Sequence, residues 1–166
     1  MQTPYGVSTR LAKPGARSRR DLRDDLGYSD TILSLDTATR LLLQAARCEL
    51  KGKLEAARSI YDRVATLEEL APLALSRRAK VERDLGDLGG ATRSLTHALH
   101  YVVDDPERSH AIYVELGDVY AQAGDYEEAS YHYRRALVLD PSRVEVQRRL
   151  RGALHLRYCV QERQTA

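Results

Sequence analysis

YVELGDVYAQAGDYEEASYHYRRALVLDP, residues 113–141, sets large and small side chains at fixed distances around one glycine. Eleven residues before Gly124 stands Tyr113, and seven before it Gly117; five after it comes Ala129, and nine after it Tyr133. The same four columns surround two earlier glycines. Around Gly52 they hold Leu41, Ala45, Ala57 and Tyr61, and around Gly86 they hold Leu75, Ala79, Ala91 and Leu95. Gly52 and Gly86 are 34 residues apart, Gly86 and Gly124 are 38 apart. A period near ~34 residues is the mark of a helix–turn–helix solenoid. Small residues let two antiparallel helices approach, and the large ones fill the gaps beside the contact. The glycine ends one helix in a left-handed or otherwise strained turn at low steric cost.

The same pattern predicts helices at about 37–51, 54–68, 72–84, 88–103, 108–122, 126–139 and 142–162. Asp36 is the expected N-cap of the first. Pro72, Pro106 and Pro141 fall where helices should begin, and Asp105 and Asp140 precede two of them as candidate caps. Four extra residues before His110 are expected to add a helical turn around Tyr101-Val102-Val103. Residues 1–28 are rich in Pro, Gly, Ser and Arg and read as a flexible basic arm. The apolar run Thr31-Ile32-Leu33-Ser34-Leu35 should pack onto the first helix pair. The expected domain is 29–163, with repeats at about 38–71, 72–109 and 110–143. The segment 142–162 carries an apolar stripe (Val146, Leu150, Ala153, Leu154) opposite arginines, the pattern of a capping helix that covers the last hydrophobic face.

Composition narrows the function classes. In 166 residues, 43% are hydrophobic and 30% charged, which fits a folded helical chain. The net charge is only +2, so bulk electrostatics does not recruit a polyanion. The cations are unevenly placed, however. Residues 1–20 hold Arg10, Lys13, Arg17, Arg19 and Arg20 with no acid. From Arg143 onward six arginines meet only Glu145 and Glu162. Cys48 and Cys159 define neither a disulfide framework nor a zinc pattern, and Cys48 reads as a small buried filler. No run approaches the ~18 apolar residues of a membrane span. The N-terminus lacks a secretory h-region, so a cytoplasmic home is expected.

The third repeat resembles the tetratricopeptide repeat family through Tyr113, Leu116, Gly117, Tyr120, Gly124, Tyr126, Ala129, Tyr133, Ala136 and Pro141. The first two repeats depart from that pattern. Where the third has Leu116 and Tyr120, the first has Gln44 and Cys48 and the second Arg78 and Glu82. Arg78 and Glu82 lie four apart on one helical face and could pair, but a core seat for both would be costly, so that helix is expected to be rotated or less buried. The resemblance implies an all-α fold: a solenoid of three antiparallel helix pairs in a right-handed superhelix, plus a C-terminal capping helix. It also implies a non-catalytic protein-interaction adaptor or assembly factor, whose inner helices line a groove for a peptide or helix of a partner.

Carrying that face over by the aligned columns gives Thr39, Leu42, Ala46 and Glu49, then Leu73, Ser76, Arg77, Lys80 and Arg83, then Ala111, Val114, Asp118 and Ala121. Helical spacing supports the middle set, which recurs every three to four residues on the side away from Leu75 and Ala79. The face is apolar at its start and basic in its middle, which suits an acidic, amphipathic partner. Two readings stand: a docking groove, or a face covered by residues 31–35 with solvated basic residues. Self-association through Leu42–Leu50 is a further option. The lysine-and-asparagine clamp by which some family members hold acidic chaperone C-termini is not matched, since Leu42, Ala46, Val114 and Asp118 fall near its places.

Two other functions are compatible with the chain. Chaperones of type III secretion translocators have three such repeats in chains of similar length. The arm with Arg17, Arg19, Arg20 and Arg23 would suit a nucleic-acid-associated accessory protein, although no aromatic residues interleave with its charges. Catalysis has no motif: there is no phosphate-cradling glycine loop, no nucleophile elbow and no Cys–His arrangement. His97 and His100 with Asp104 and Asp105 lack a further ligand cluster and read as solvated helix-end residues. Neither metal nor cofactor is expected.

Overall fold

The computed structural model describes residues 34–165, all helix and turn. Seven helices follow one another: α1 Leu35–Leu50, α2 Leu54–Val64, α3 Ala71–Asp84, α4 Leu88–Tyr101, α5 Pro106–Gln122, α6 Tyr126–Leu139 and α7 Val144–Thr165. Each packs on its neighbours in sequence, so α1–α2, α3–α4 and α5–α6 form helix pairs and α7 lies on α6. The predicted arm, 1–28, and residues 29–33 lie outside the described residues.

The three turn glycines behave as the pattern requires. Gly52, Gly86 and Gly124 have φ of 69°, 82° and 80°, and among the described residues no other residue has positive φ. After two of them an aspartate caps the next helix: Asp87 accepts from the Gly90 amide and Asp125 from the Glu128 amide.

The repeat columns form the core. Ala45, Ala57, Ala79, Ala91 and Ala129 are buried, as are Leu41, Tyr61, Leu75, Leu95 and Tyr133. Burial runs as three overlapping clusters, each shared by three successive helices: α1–α2–α3, α3–α4–α5 and α5–α6–α7. Helix α3 gives Ala74 and Val81 to the first cluster and Ala71, Leu75 and Ala79 to the second. No repeat could close its own core, and stacking supplies the missing wall. Each fully buried leucine of the seam contributes about 1.5–3 kcal/mol.

Several local expectations are corrected. The N-cap of α1 is Ser34, whose hydroxyl accepts from the Thr37 amide, and Asp36 sits inside the first turn. Helix α2 ends at Val64, so residues 65–70 are turn rather than helix. The extra residues before His110 do not prolong α4. Tyr101 ends it, Val102 folds into the core, and the surplus lengthens α5 to 17 residues against 14 in α3. Pro72 and Pro106 open helices and Asp105 caps α5. Pro141, by contrast, lies in a turn before α7. Asp140 folds back on that turn, accepting from the Ser142 amide and hydroxyl and from Arg143 Nε. Those donors hold its carboxyl down to about 2. Leu35 is exposed rather than packed, and Cys48 is only partly buried, at the edge of the first cluster.

The largest correction concerns Glu82. It is 5% exposed, in the seat that Tyr120 fills one repeat later, so α3 is not turned outward. The carboxylate survives there because it is fully engaged. Arg78 Nε lies 3.2 Å from one oxygen, and the buried Ser94 hydroxyl donates to the other at 2.5 Å. Arg78 also reaches Asp62 on α2. A buried charge is tolerable only when paired and hydrogen-bonded, and here three helices supply the partners.

In the third pair, His132 of α6 stacks on Tyr120 at 5.2 Å and Tyr113 at 6.1 Å. Its Nδ1 is buried and, among the described residues, has no hydrogen-bond partner. Burial, then the Arg135 charge, push its pKa down. Glu128, in a more exposed position, lies 3.9 Å from Nε2. A histidine whose folded pKa lies below its unfolded value of about 6.5 contributes stability that is present above that value. That contribution is lost as pH falls through the folded pKa. Stability measured by urea unfolding between pH 7 and 5 should therefore fall more steeply in the native chain than in His132→Phe. Equal slopes would contradict this placement.

Candidate functional site

The helices α1, α3 and α5 open each pair, and the sides of α3 and α5 turned away from the seam face each other across two cavities. The first, of about 310 Å³, lies toward their N-terminal ends. Leu70, Pro72, Leu73, Val102, Ala111 and Ile112 give it an apolar wall, with Glu69, Ser76, Arg108 and Glu115 at its edge. The second, of about 140 Å³, lies further along and is lined by Lys80, Arg83, Glu115 and Asp118 over Ala79, Leu95 and Val119. A third, of about 560 Å³, separates α5 from α7 and is bounded by Ala111, Val114, Asp118, Arg143, Val146 and Arg149 among others.

This arrangement sorts the residues expected from sequence. Leu73, Ser76, Lys80, Arg83, Ala111, Val114 and Asp118 all line one or more of the three cavities. Arg77 is exposed beside them and acts electrostatically on Glu115. Ala121 is partly buried and packs against the third core cluster. Thr39, Leu42, Ala46 and Glu49 of α1 stand apart from these three cavities. Leu42 packs partly on the first cluster, and the Glu49 carboxylate accepts from the Tyr61 hydroxyl. Thr39 and Ala46 are exposed, as are Leu35, Leu43 and Leu50 on the same helix.

Two acids dominate the electrostatics. Asp118 accepts from the Tyr133 hydroxyl at 2.7 Å and from Arg149 Nη1 at 2.5 Å. It therefore ties α5 to α6 and to the capping helix, and burial together with Asp118 pushes the Tyr133 phenol up. Glu115, absent from the expected set, lines all three cavities. Burial raises its pKa, Asp118 adds to that, and Arg83, Arg77 and Lys80 oppose it. The basic stripe thus has an acidic counterpart on the facing helix. The signal for Glu115 was present in the sequence, since it stands four residues after Ala111 and three before Asp118.

Among the described residues no group of three His, Cys, Asp or Glu side chains could hold a metal ion. The rings of His97 and Tyr101 lie 5.3 Å apart, tilted at 44° to each other. No described helix is long and apolar enough to cross a membrane.

Comparison with known proteins follows the same lines. The family model described as TPR repeat matches residues 117–155, from the middle of α5 into α7. No curated protein matches the chain in sequence. Solved structures similar to it include the first tetratricopeptide domain of human RPAP3, with TM-score 0.64 and 21% identity over 75% of this chain and 95% of that one. The type III secretion translocator chaperone SycD of Yersinia enterocolitica superposes with TM-score 0.60 and 16% identity, covering 81% of this chain and 90% of its own. The domain of Sgt2 from Aspergillus fumigatus gives TM-score 0.63 and 17% identity over 84% and 89%. Residues 117–155 carry a tetratricopeptide repeat, and the described helices as a whole have the all-α solenoid fold of that family.

Proposed function

We propose that the chain is a non-catalytic adaptor or assembly factor that holds a peptide or helix of another protein against the inner faces of α1, α3 and α5. The observation that carries this reading is the pair of cavities between α3 and α5, apolar at one end and charged further on. The two cavities follow one another along α3 and α5, an arrangement suited to a chain segment that sets successive side chains into them. A fold of this kind presents such a segment in at least one similar structure, the first repeat domain of RPAP3 bound to an HSP90 peptide. The expected setting is the cytoplasm, and self-association through the exposed leucines of α1 is compatible with the same surface.

The test is charge reversal. The triple variant Arg77→Glu, Lys80→Glu, Arg83→Glu should lose a co-purifying partner at least tenfold while its circular dichroism and thermal midpoint stay near those of the native chain. Arg77 and Lys80 are exposed and Arg83 is partly buried, and because all three offset the Glu115 charge, the same three positions changed to Gln serve as the control for stability. Unchanged partner binding would overturn the reading.

A narrower version makes the chain a chaperone for a secretion translocator. It is favoured by the similarity to PcrH, whose structure in complex with the chaperone-binding region of PopB superposes with TM-score 0.58 and 18% identity. A secreted, helix-rich client that binds the same inner face would support it. A nucleic-acid role would rest on the basic arm, and a gel shift that depends on residues 1–25 would be its sign.

A further inference from the structure

We infer that the segment held by this chain carries two determinants at a fixed spacing: an apolar side chain for the cavity at the start of α3 and α5, and a carboxylate for Lys80 and Arg83. The inference rests on the proposed use of the inner face, and it specifies what that face selects.

The first determinant follows from shape and chemistry. The cavity of about 310 Å³ is walled by Leu70, Pro72, Leu73, Val102, Ala111 and Ile112. Its volume falls at the lower end of the ~300–1,000 Å³ typical of ligand sites. Leu73 remains 47% exposed although it sits on the wall. An aliphatic or aromatic side chain entering here would remove apolar surface from water on both sides, at about 25 cal/mol for each Å².

The second follows from a charge count along the same groove. Lys80 and Arg83 of α3 line the second cavity opposite two acids of α5, Glu115 and Asp118, and Arg77 stands exposed beside them. Asp118 is already committed to Arg149 and to the Tyr133 hydroxyl. Two cations therefore face one uncommitted carboxylate in that cavity, that of Glu115, which burial already disfavours as a charge. Lys80 and Arg83 both act on that carboxylate electrostatically. The surplus is positive, and a carboxylate arriving from a partner balances it with charge-assisted hydrogen bonds.

The geometry of α3 sets the spacing. Leu73 and Ser76 flank the apolar cavity, and Lys80 and Arg83 flank the charged one. Each pair is offset by seven residues, which at 1.5 Å per residue is roughly 10 Å along the helix. An extended segment rises about 3.3 Å per residue, so the acid would stand three positions from the apolar residue. In a helical segment it would stand seven positions away. The preferred spacing therefore also reports the bound conformation.

The experiment is selection of a phage-displayed library of random 12-residue peptides on the purified full chain, on Ala111→Arg, and on Lys80→Glu with Arg83→Glu. Native protein should enrich peptides with Leu, Ile, Met or Phe and an Asp or Glu three or seven positions away. A synthetic peptide of that kind should bind Lys80→Glu/Arg83→Glu at least tenfold more weakly, and replacing its acid by Lys should recover most of the loss. Ala111→Arg should abolish the apolar preference. Enriched peptides that depend on Ala111 yet show no acid preference would overturn this inference and leave the groove reading standing. Peptides indifferent to Ala111→Arg, or no enrichment at all, would overturn both. The milder pair Lys80→Gln/Arg83→Gln, giving an intermediate loss, separates charge from any damage done by reversal.

Discussion

Alanine at Glu82 should lower the unfolding free energy by roughly 3 kcal/mol, the low end of the cost of breaking a buried ion pair. The low end applies because Arg78 is one-fifth exposed and keeps Asp62 as a partner. What alanine leaves behind is a buried Ser94 hydroxyl that has lost its acceptor on Glu82, and a guanidinium deprived of its buried counter-ion. Replacing both members, Arg78→Leu with Glu82→Tyr, gives the second repeat the residue types that the third has at Leu116 and Tyr120. Buried ion pairs exchange for well-packed apolar residues at little net cost. The double variant should therefore lie within about 1 kcal/mol of the native chain in urea unfolding, while the single Glu82→Ala does not. A double variant as unstable as the single would show that the seat needs its charges.

Gly117→Ala should be the second costly change, although alanine is the better helix former by about 1 kcal/mol. A Cβ at position 117 would lie 2.4 Å from Tyr133 Cε1 and 2.9 Å from its Cζ. The ring is 3% exposed, with Ala129, Ala136, Val146 and Ala153 in the same core cluster, so it has nowhere to swing. Overpacking of this kind costs about 1–3 kcal/mol, and displacing the ring also strains the Tyr133–Asp118 hydrogen bond. Because Asp118 holds Arg149, the damage should reach α7. Hydrogen exchange in residues 144–153 should rise more in Gly117→Ala than in a surface control. Adding Tyr133→Leu should recover part of the stability, giving a coupling energy of the size seen between contacting residues, about 0.5–3 kcal/mol. Strictly additive effects would contradict the contact.

The fold was legible because its determinants are local and repeated. A glycine at positive φ, an alanine five residues on and a large residue nine on each act within one helix pair, so Gly52, Gly86 and Gly124 announce the architecture without knowledge of distant contacts. Glu82 was misjudged for the opposite reason. Its environment is made by Ser94 and Arg78, and the sequence shows the Arg78 spacing but not that Ser94 points back across the pair. The surplus around Tyr101–Val103 was misplaced because the pattern counts residues, whereas packing decides which side of the turn absorbs them. Along the inner face, α3 was readable from its three-to-four spacing. The engagement of Asp118 was not, since Arg149 lies 31 residues away on a helix outside the repeat columns. Glu115 was passed over because alignment by columns favoured Val114, although the same periodicity admits both.

The most direct test of the account is an amide chemical-shift titration of the isotope-labelled full chain with a peptide recovered from the selection. The prediction is a continuous set of shifted residues along the inner faces of α3 and α5, within 70–83 and 108–118, with α4 and α6 little changed. Shifts centred on α4 and α6 instead, or scattered over all seven helices, would mean that the inner strip is not where this solenoid holds its partner.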